Sequence, residues 1–185
     1  MKTKLISFVF LLVFLLATPH KTFAAELASG SSANFASLVS TTQSVDTRGL
    51  ALRAYLMSYH SPLAIYADYY VAMADKYGLP WNLVPAITGT ESTFGQQAPV
   101  NCNNFYGYGI YGDNMLCFTS VEAGIETVSK ALREQYVNTW GATTVDQIGH
   151  LYAASPTWSA HTTFFMRQME TFKVSFDAQA LPISL

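Results

Sequence analysis

The feature that most limits what this chain can fold into is a segment, residues 101–118, that interrupts an otherwise helical pattern. The segment is rich in aromatic residues and glycine, and Cys102 and Cys117 lie near its two ends. Gly112-Asp113-Asn114 is a typical turn sequence, so we predict a small β-hairpin or ordered loop here. A disulfide would close a loop of about 15 residues and stabilise the fold by about 3 kcal/mol. Two free thiols or half of a metal site are the alternatives, although the histidines lack the paired spacing of a zinc site.

The residues outside this segment show helical spacing of apolar side chains, together with signals for helix starts and ends. Ser61-Pro62 is a start signal and Gly78 an end signal, because Pro suits the first helical turn and Gly adopts a left-handed C-cap conformation. Thr119–Glu122 and Thr144–Gln147 match the capping box. The predicted helices are 46–59, 61–77, 80–92, 119–136, 144–153 and 159–177. They predict a mostly α (α+β) domain without a parallel sheet.

The N-terminal region has the three parts of a secretory signal peptide. Lys2 and Lys4 precede an apolar run at residues 5–17, and small residues suited to cleavage follow near Ala24. The run is shorter than the roughly 20 residues that a membrane-spanning helix needs, so we predict cleavage rather than a permanent membrane anchor. Export to the cell envelope or the medium also favours the disulfide, because those compartments are oxidising. The predicted organisation is a signal peptide at 1–24, a Ser/Thr/Ala-rich linker at 25–45, a folded domain at 46–178 and a frayed tail at 179–185.

The charge balance excludes one broad class of function. The chain carries 10 Lys and Arg against 12 Asp and Glu, a net charge of −2, and the predicted signal peptide holds three of the lysines. A mildly acidic mature protein lacks the cations that neutralise nucleic-acid phosphates. We therefore expect no nucleic-acid partner, and no pattern in the sequence predicts a metal ion or another cofactor.

One acidic residue, Glu91, stands out by its position. It lies at the end of an apolar helix, shortly before the aromatic segment. A carboxyl group facing the aromatic residues of this region would lose solvation, which raises its pKa and keeps a proton available. These residues are Phe94, Phe105, Tyr106 and Tyr108. General acids need such a proton, and a negative charge at a helix C-terminus is poor for stability alone. An ordinary exposed glutamate at a helix end is the alternative interpretation.

Three motifs follow one another along the chain. They are the helix end Glu91-Ser-Thr-Phe-Gly95, the loop Asn104-Phe-Tyr-Gly-Tyr-Gly109 and the helix start Phe118-Thr-Ser-Val-Glu-Ala-Gly-Ile125. In this order they resemble the bacterial lysozyme-like superfamily, and within it the glucosaminidase family of mannosyl-glycoprotein endo-β-N-acetylglucosaminidase-like domains. The resemblance covers residues 61–172, which is most of the predicted mature chain.

The resemblance implies a lysozyme-like helical domain in which a disulfide-stapled hairpin or loop lies beside the active-site cleft. It implies Glu91 as the catalytic acid, oriented with the help of Ser92. The implied substrates are cell-wall glycans of β-1,4-linked N-acetylglucosamine and N-acetylmuramic acid. The predicted substrate-binding residues are Ser92, Asn104, Phe105, Tyr106, Gly107, Tyr108 and Tyr111.

The sequence leaves the second catalytic group open. Inverting glycosidases use a second carboxylate to activate water, and retaining glycosidases use it as a nucleophile. Asp113 is the available candidate, but its Gly-Asp-Asn context equally predicts a plain turn, which we favour. Glu122 is better explained as a residue that stabilises a helix N-terminus. A tyrosine of the loop could instead orient water or hold the N-acetyl group, and assistance by that group or a lytic transglycosylase reaction would remove the need for a second acid.

These observations predict an exported, monomeric hydrolase that cleaves β-1,4 glycosidic bonds of peptidoglycan as an endo-β-N-acetylglucosaminidase. A catalytically silent glycan-binding domain is the alternative from a different class. A muramidase or a lytic transglycosylase of the same superfamily is a further alternative, and the residues alone do not choose which bond is cut.

Overall fold

The computed structural model describes residues 45–111 and 114–180. The helices are α1 (Arg48–Ser58), α2 (Ala67–Tyr77), α3 (Leu83–Ser92), α4 (Val121–Ala131), α5 (Val145–Tyr152) and α6 (Trp158–Ala180). A 3₁₀-helical segment (Pro62–Tyr66) precedes α2, a π-helical segment (Leu132–Thr139) continues α4, and the strands are β1 (Ile110–Tyr111) and β2 (Asn114–Met115). The predicted mostly α fold is confirmed. The predicted signal peptide, residues 25–44 of the linker and residues 181–185 of the tail lie outside the described residues.

Ser61 starts the second helical region, as predicted. Its hydroxyl accepts a hydrogen bond from the N–H of Leu63 at 3.1 Å and donates one to the carbonyl of Phe94 at 2.7 Å. The first turn is 3₁₀-helical rather than α-helical, however, and the α-helix begins only at Ala67. At the other end Gly78 has a left-handed backbone with φ of 58°, which confirms the predicted end of α2.

The start of α3 differs from the prediction. The helix begins at Leu83 rather than at residue 80, because Pro80 opens a turn in which its carbonyl accepts a hydrogen bond from the N–H of Leu83 at 3.0 Å. Pro85 is then the third helical residue, where the N–H that proline lacks would have no partner within the helix. The helix ends at Ser92, as predicted.

The capping of α4 also differs from the prediction. Its N-cap is Ser120, whose Oγ accepts a hydrogen bond from the N–H of Ala123 at 3.1 Å. The predicted capping box at Thr119–Glu122 is therefore wrong: the N-cap lies one residue later, and Ala123 at the third helical position has no polar side chain to complete a box. The box at Thr144–Gln147 is confirmed, with both of its reciprocal hydrogen bonds present at the start of α5.

The last helix, α6, spans 23 residues and extends three residues beyond its predicted end at residue 177. It packs against α1, α3 and α5, so it ties the two ends of the described chain together. Neither α6 nor any other helix within residues 45–111 and 114–180 is long and apolar enough to cross a bilayer.

Residues 101–118 contain the predicted hairpin. Strands β1 and β2 pair antiparallel, with two residues of each strand in register. Cys102 and Cys117 form a disulfide with their Cα atoms 4.5 Å apart, and the N–H of Phe118 donates a hydrogen bond to the carbonyl of Cys102 at 2.8 Å. The predicted hairpin and disulfide are thus confirmed, while the turn residues 112–113 lie outside the described part of the chain.

The core is aromatic around Phe94, whose ring is fully buried. The centroid of this ring lies 4.6 Å from that of Tyr59, 4.9 Å from that of Phe165 and 5.7 Å from that of Tyr55. Gly89 provides the space, because a Cβ atom at that position would lie 2.6 Å from the Phe94 ring. The Phe94 ring therefore packs α1, α3 and α6 together, three residues after Glu91 in the chain.

Loss of the disulfide should loosen the hairpin more than the helices. We expect the double variant Cys102→Ser/Cys117→Ser to lose about 3 kcal/mol of unfolding free energy, because its unfolded chain is no longer cross-linked. We also expect the N–H of Phe118, which donates to Cys102, to lose more hydrogen-exchange protection than the N–H of Ala86 within α3. Amide exchange followed by NMR in both proteins measures this. Equal protection of Phe118 in the two proteins would contradict the prediction.

Candidate active site

Glu91 lies in the last turn of α3, and its side chain is partly buried. Its Oε1 accepts a hydrogen bond from Nε1 of Trp158, the first residue of α6, at 2.6 Å. Its Oε2 lies against Gly107, where an added Cβ atom would come within 2.5 Å of that oxygen. Gly107 also has a left-handed backbone, with φ of 61°. The carboxyl group is thus held between an indole N–H and the backbone of Gly107. A larger residue at position 107 would displace the carboxyl group.

The surroundings of Glu91 favour its protonated form. Burial raises the pKa of Glu91, and the hydrogen bond from Trp158 opposes this effect only in part, because it stabilises the ionised carboxylate. The end of α3 adds to the effect, since the dipole of a helix disfavours a negative charge at its C-terminus. The structure agrees with the sequence prediction of a poorly solvated carboxyl group at this helix end.

Asn104 organises the loop that carries Gly107. Its side-chain amide is buried and donates hydrogen bonds to the carbonyls of Tyr108 and Leu116, both at 2.7 Å. The amide oxygen accepts hydrogen bonds from the N–H groups of Tyr106 and Tyr108, both at 3.3 Å. These four bonds use the full capacity of the amide. The side chain of Asn104 therefore shapes the loop, and substrate binding by this residue stays a prediction.

Ser92 connects α3 to the same loop and makes no hydrogen bond with the Glu91 carboxyl group. Its hydroxyl lies 2.8 Å from the carbonyl of Phe105 and 3.0 Å from that of Thr88, and it accepts a hydrogen bond from the N–H of Gly95 at 3.0 Å. Ser92 is also buried. Ser92 therefore fixes the backbone that carries Glu91, and its predicted help in orienting the carboxyl group acts through that backbone.

Tyr106, one of the predicted substrate-binding residues, lies in the core. Its ring is fully buried, and its hydroxyl lies 3.2 Å from the hydroxyl of Tyr70 in α2. Phe105 and Tyr108, on either side of Tyr106 in the same loop, are only partly buried. Among the predicted substrate-binding residues, Gly107 directly contacts Glu91, and Tyr108 lies nearby, with its ring centroid 6.3 Å from that of Tyr152.

Two predicted residues cannot be placed at this site. Asp113 and the side chain of Tyr111 lie outside the described part of the structure, although the backbone of Tyr111 pairs with Asn114. Glu122 lies in the first turn of α4, where a negative charge suits the helix dipole, in agreement with its structural interpretation.

Trp158 and Tyr152, which no sequence motif predicted at the site, complete the surroundings of Glu91. Their rings stack with centroids 4.9 Å apart and an interplanar angle of 26°. The Tyr152 hydroxyl donates a hydrogen bond to the carbonyl of Tyr106 at 2.8 Å, and burial raises the pKa of Tyr152 so that this proton stays in place. The available signal was a tryptophan at a helix start, since a buried indole N–H needs an acceptor. Its position does not reveal that the acceptor is Glu91.

Other polar groups of the described residues offer no comparable site. No second carboxyl group among them contributes to the pKa shift of Glu91. Within residues 45–111 and 114–180, no three His, Cys, Asp or Glu side chains are grouped so that they could hold a metal ion.

A cavity of about 260 Å³ lies at α1 and α2 and shares no lining residue with the Glu91 site. Three acidic residues line it. Two of them, Asp46 and Asp75, bind Arg48, and Asp68 binds Arg53. Hydrogen bonds from Arg48 lower the pKa of Asp46 to about 2. Each acidic residue of this cavity is therefore paired with an arginine. We place the candidate site at Glu91 instead.

A search against models of protein families finds no match for this chain, and a search of curated proteins finds no similar sequence. The function of the site must therefore be argued from its residues, their geometry and the motifs of the sequence.

The raised pKa of Glu91 predicts how stability depends on pH. In the unfolded chain the residue ionises near its ordinary pKa of 4.5, whereas the folded protein retains the proton to higher pH. As the pH rises through the ordinary value, ionisation stabilises the unfolded state, so the wild type loses stability until the folded-state pKa is passed. The Glu91→Gln variant cannot ionise. We expect it to gain stability relative to wild type as the pH rises over this interval.

Urea denaturation of both proteins at a series of pH values measures this difference. Glu170→Gln, which replaces an exposed glutamate of α6, is the matched control and should show no comparable gain. If the gain in unfolding free energy of Glu91→Gln over wild type stays constant or shrinks with rising pH, the folded protein does not raise the pKa of Glu91.

Proposed function

We propose that this protein is an exported glycoside hydrolase that cleaves β-1,4 bonds of peptidoglycan, with Glu91 as its general acid. The proposed fold is the lysozyme-like domain of the glucosaminidase type. The observation that carries the proposal is one partly buried carboxyl group, which Trp158 holds at 2.6 Å beside Gly107 and whose pKa burial raises. The order of the three sequence motifs supports the same assignment.

In the proposed reaction, the proton of Glu91 passes to the glycosidic oxygen as the bond from that oxygen to the anomeric carbon breaks. The leaving sugar departs as an alcohol, and the anomeric carbon, now electron-poor, takes the oxygen of a water molecule. A raised pKa assists the first step, because it keeps the acid protonated at the pH where the enzyme works. The proton that this water loses passes to the Glu91 carboxylate, which returns the carboxyl group to its protonated starting state.

The residues around Glu91 have different proposed roles. Trp158 is a positioning residue, because its indole N–H fixes one carboxyl oxygen and leaves the other directed towards the loop. Gly107 lets a sugar approach the backbone beside the acid. Tyr108 stands at the same loop and is the proposed aromatic contact for the sugar next to the cleaved bond.

The second catalytic group distinguishes the remaining candidates. Asp113 is one, and the N-acetyl group of the substrate is another, since it can take the place of a second carboxylate. The alternative function is a glycan-binding domain that does not cleave. It remains open because the sequence does not identify the second catalytic group.

The disulfide supports the extracytoplasmic location that we propose. Disulfides form and persist in exported proteins and are rare in reducing cytosol. Cys102 and Cys117 flank the loop that places Gly107 against Glu91, so the proposed site depends on oxidation of this pair.

Incubation of the mature protein with purified peptidoglycan should release soluble fragments, and Glu91→Gln should release none. The glutamine keeps the shape of the side chain but cannot donate the proton. Mass spectrometry of the fragments also identifies the reaction. Reducing N-acetylglucosamine ends would establish a glucosaminidase, reducing N-acetylmuramic acid ends a muramidase, and anhydro ends a lytic transglycosylase.

Glu170→Gln serves as the control in this experiment and should release fragments as the wild type does. Normal turnover by a folded Glu91→Gln variant would contradict the role of Glu91. Binding of the wild type to the wall without any released fragment would instead favour the binding domain.

Trp158→Phe should shift the pH profile of the reaction. Phenylalanine retains an aromatic ring beside Tyr152 but lacks the N–H that stabilises the ionised carboxylate, so the pKa of Glu91 should rise further. The limb of kcat/KM on which the acid loses its proton should therefore move to higher pH, and kcat should fall about tenfold or more because the carboxyl group is less well oriented. Trp81→Phe, which changes a partly buried tryptophan in the turn before α3, is the control and should leave the pH profile unchanged. A profile that is unchanged or shifted to lower pH would contradict the positioning role.

A further inference from the structure

A line of aromatic rings leads away from Glu91 and ends at the surface. The ring of Trp158, which binds Glu91, contacts Tyr152 at a centroid distance of 4.9 Å. Tyr152 contacts Tyr136 at 5.8 Å, and Tyr136 contacts Trp140 at 4.9 Å with an interplanar angle of 72°. The line is therefore continuous from the candidate acid to Trp140.

The last ring of this line differs from the others in its exposure. Trp158 is 3% exposed and Tyr136 is 7% exposed, whereas Trp140 is 51% exposed. Among the described residues, no hydrogen-bond acceptor binds the indole N–H of Trp140. A large apolar ring with an unused donor is thus presented to solvent at the end of a well-packed aromatic series.

The backbone holds Trp140 in this position. Residues 132–139 form a π-helical segment, and the N–H of Trp140 donates to the carbonyl of Gln135 at 3.0 Å. The N–H of Ala142 donates to the carbonyl of Tyr136 at 2.9 Å, so the turn beyond Trp140 is closed as well. π-Helical turns are rare and occur frequently at functional sites. A ring held in this way loses little conformational entropy when a ligand stacks on it.

We propose that Trp140 is a further sugar-binding position, which stacks one N-acetylhexosamine ring of a glycan chain that extends beyond the Glu91 site. This proposal rests on the proposed function. The apolar face of a sugar ring matches the face of the indole, and the indole N–H can donate to a hydroxyl or acetamido oxygen. Residues 137–144 around Trp140 carry no charged side chain, which suits a neutral sugar better than an anionic polymer.

The test measures binding of chitin oligomers, from dimer to hexamer, to the full mature chain carrying Glu91→Gln, so that no cleavage intervenes. In this background we expect Trp140→Ala to weaken binding of the hexamer about tenfold, the usual effect of losing an aromatic contact, and to leave binding of the dimer unchanged. Trp140→Phe should restore part of the lost affinity. Phe164→Ala, which removes an exposed aromatic ring of α6, is the matched control and should bind every oligomer as its parent does.

Three results would overturn the proposal. They are hexamer binding by Trp140→Ala at the parent affinity, an equal loss for dimer and hexamer, and no oligomer binding by the parent protein. Failure of the proposed function is recognised separately. If wild type cleaves no peptidoglycan but Trp140 still determines hexamer affinity, hydrolysis is wrong and the sugar-binding position stands.

Discussion

The candidate site depends on a reversal of the chain directly after Glu91. Thr93 and Phe94 both have left-handed backbones, with φ of 51° and 55°, and such conformations cost about 1–3 kcal/mol each. Burial of the Phe94 ring offsets this cost, because removing a buried aromatic ring typically destabilises a protein by about 3–5 kcal/mol. The reversal also lets the N–H of Phe94 bind the carbonyl of Thr88 at 2.9 Å and so ends α3. Glu91 remains in the final turn of the helix, facing the loop.

Glu91 and Trp158 depend on each other. A poorly solvated carboxyl group needs a donor when it ionises, and a buried indole N–H without an acceptor costs about 1–3 kcal/mol. One hydrogen bond of 2.6 Å satisfies both groups. Because the bond favours the ionised acid while burial favours the neutral acid, it limits how far the pKa of Glu91 can rise. The same hydrogen bond therefore stabilises the fold and allows Glu91 to release and regain its proton.

Local interactions of the fold were predictable from the sequence, and the orientation of the site residues was not. Gly78, the Thr144–Gln147 box and the bond from Leu63 to Ser61 involve backbone groups within a few residues, so their patterns predict their structure. Trp158 and Glu91 are 67 residues apart, and no local pattern pairs them. Tyr106 turns inwards because left-handed residues, among them Gly107, set the side-chain directions of the loop. A pattern of aromatic residues and glycine predicts a loop but not which rings it buries.

The environment of Glu91 depends on the part of the fold with the least regular structure. A hairpin with two residues in each strand is too short to be stable by its own backbone pairing. The disulfide and the four hydrogen bonds of Asn104 replace the missing strand length, and together they hold Gly107 against the carboxyl oxygen. If the loop moves away, water reaches Glu91 and the main cause of its raised pKa is lost. The proton of the candidate acid is therefore controlled by residues that do not touch it.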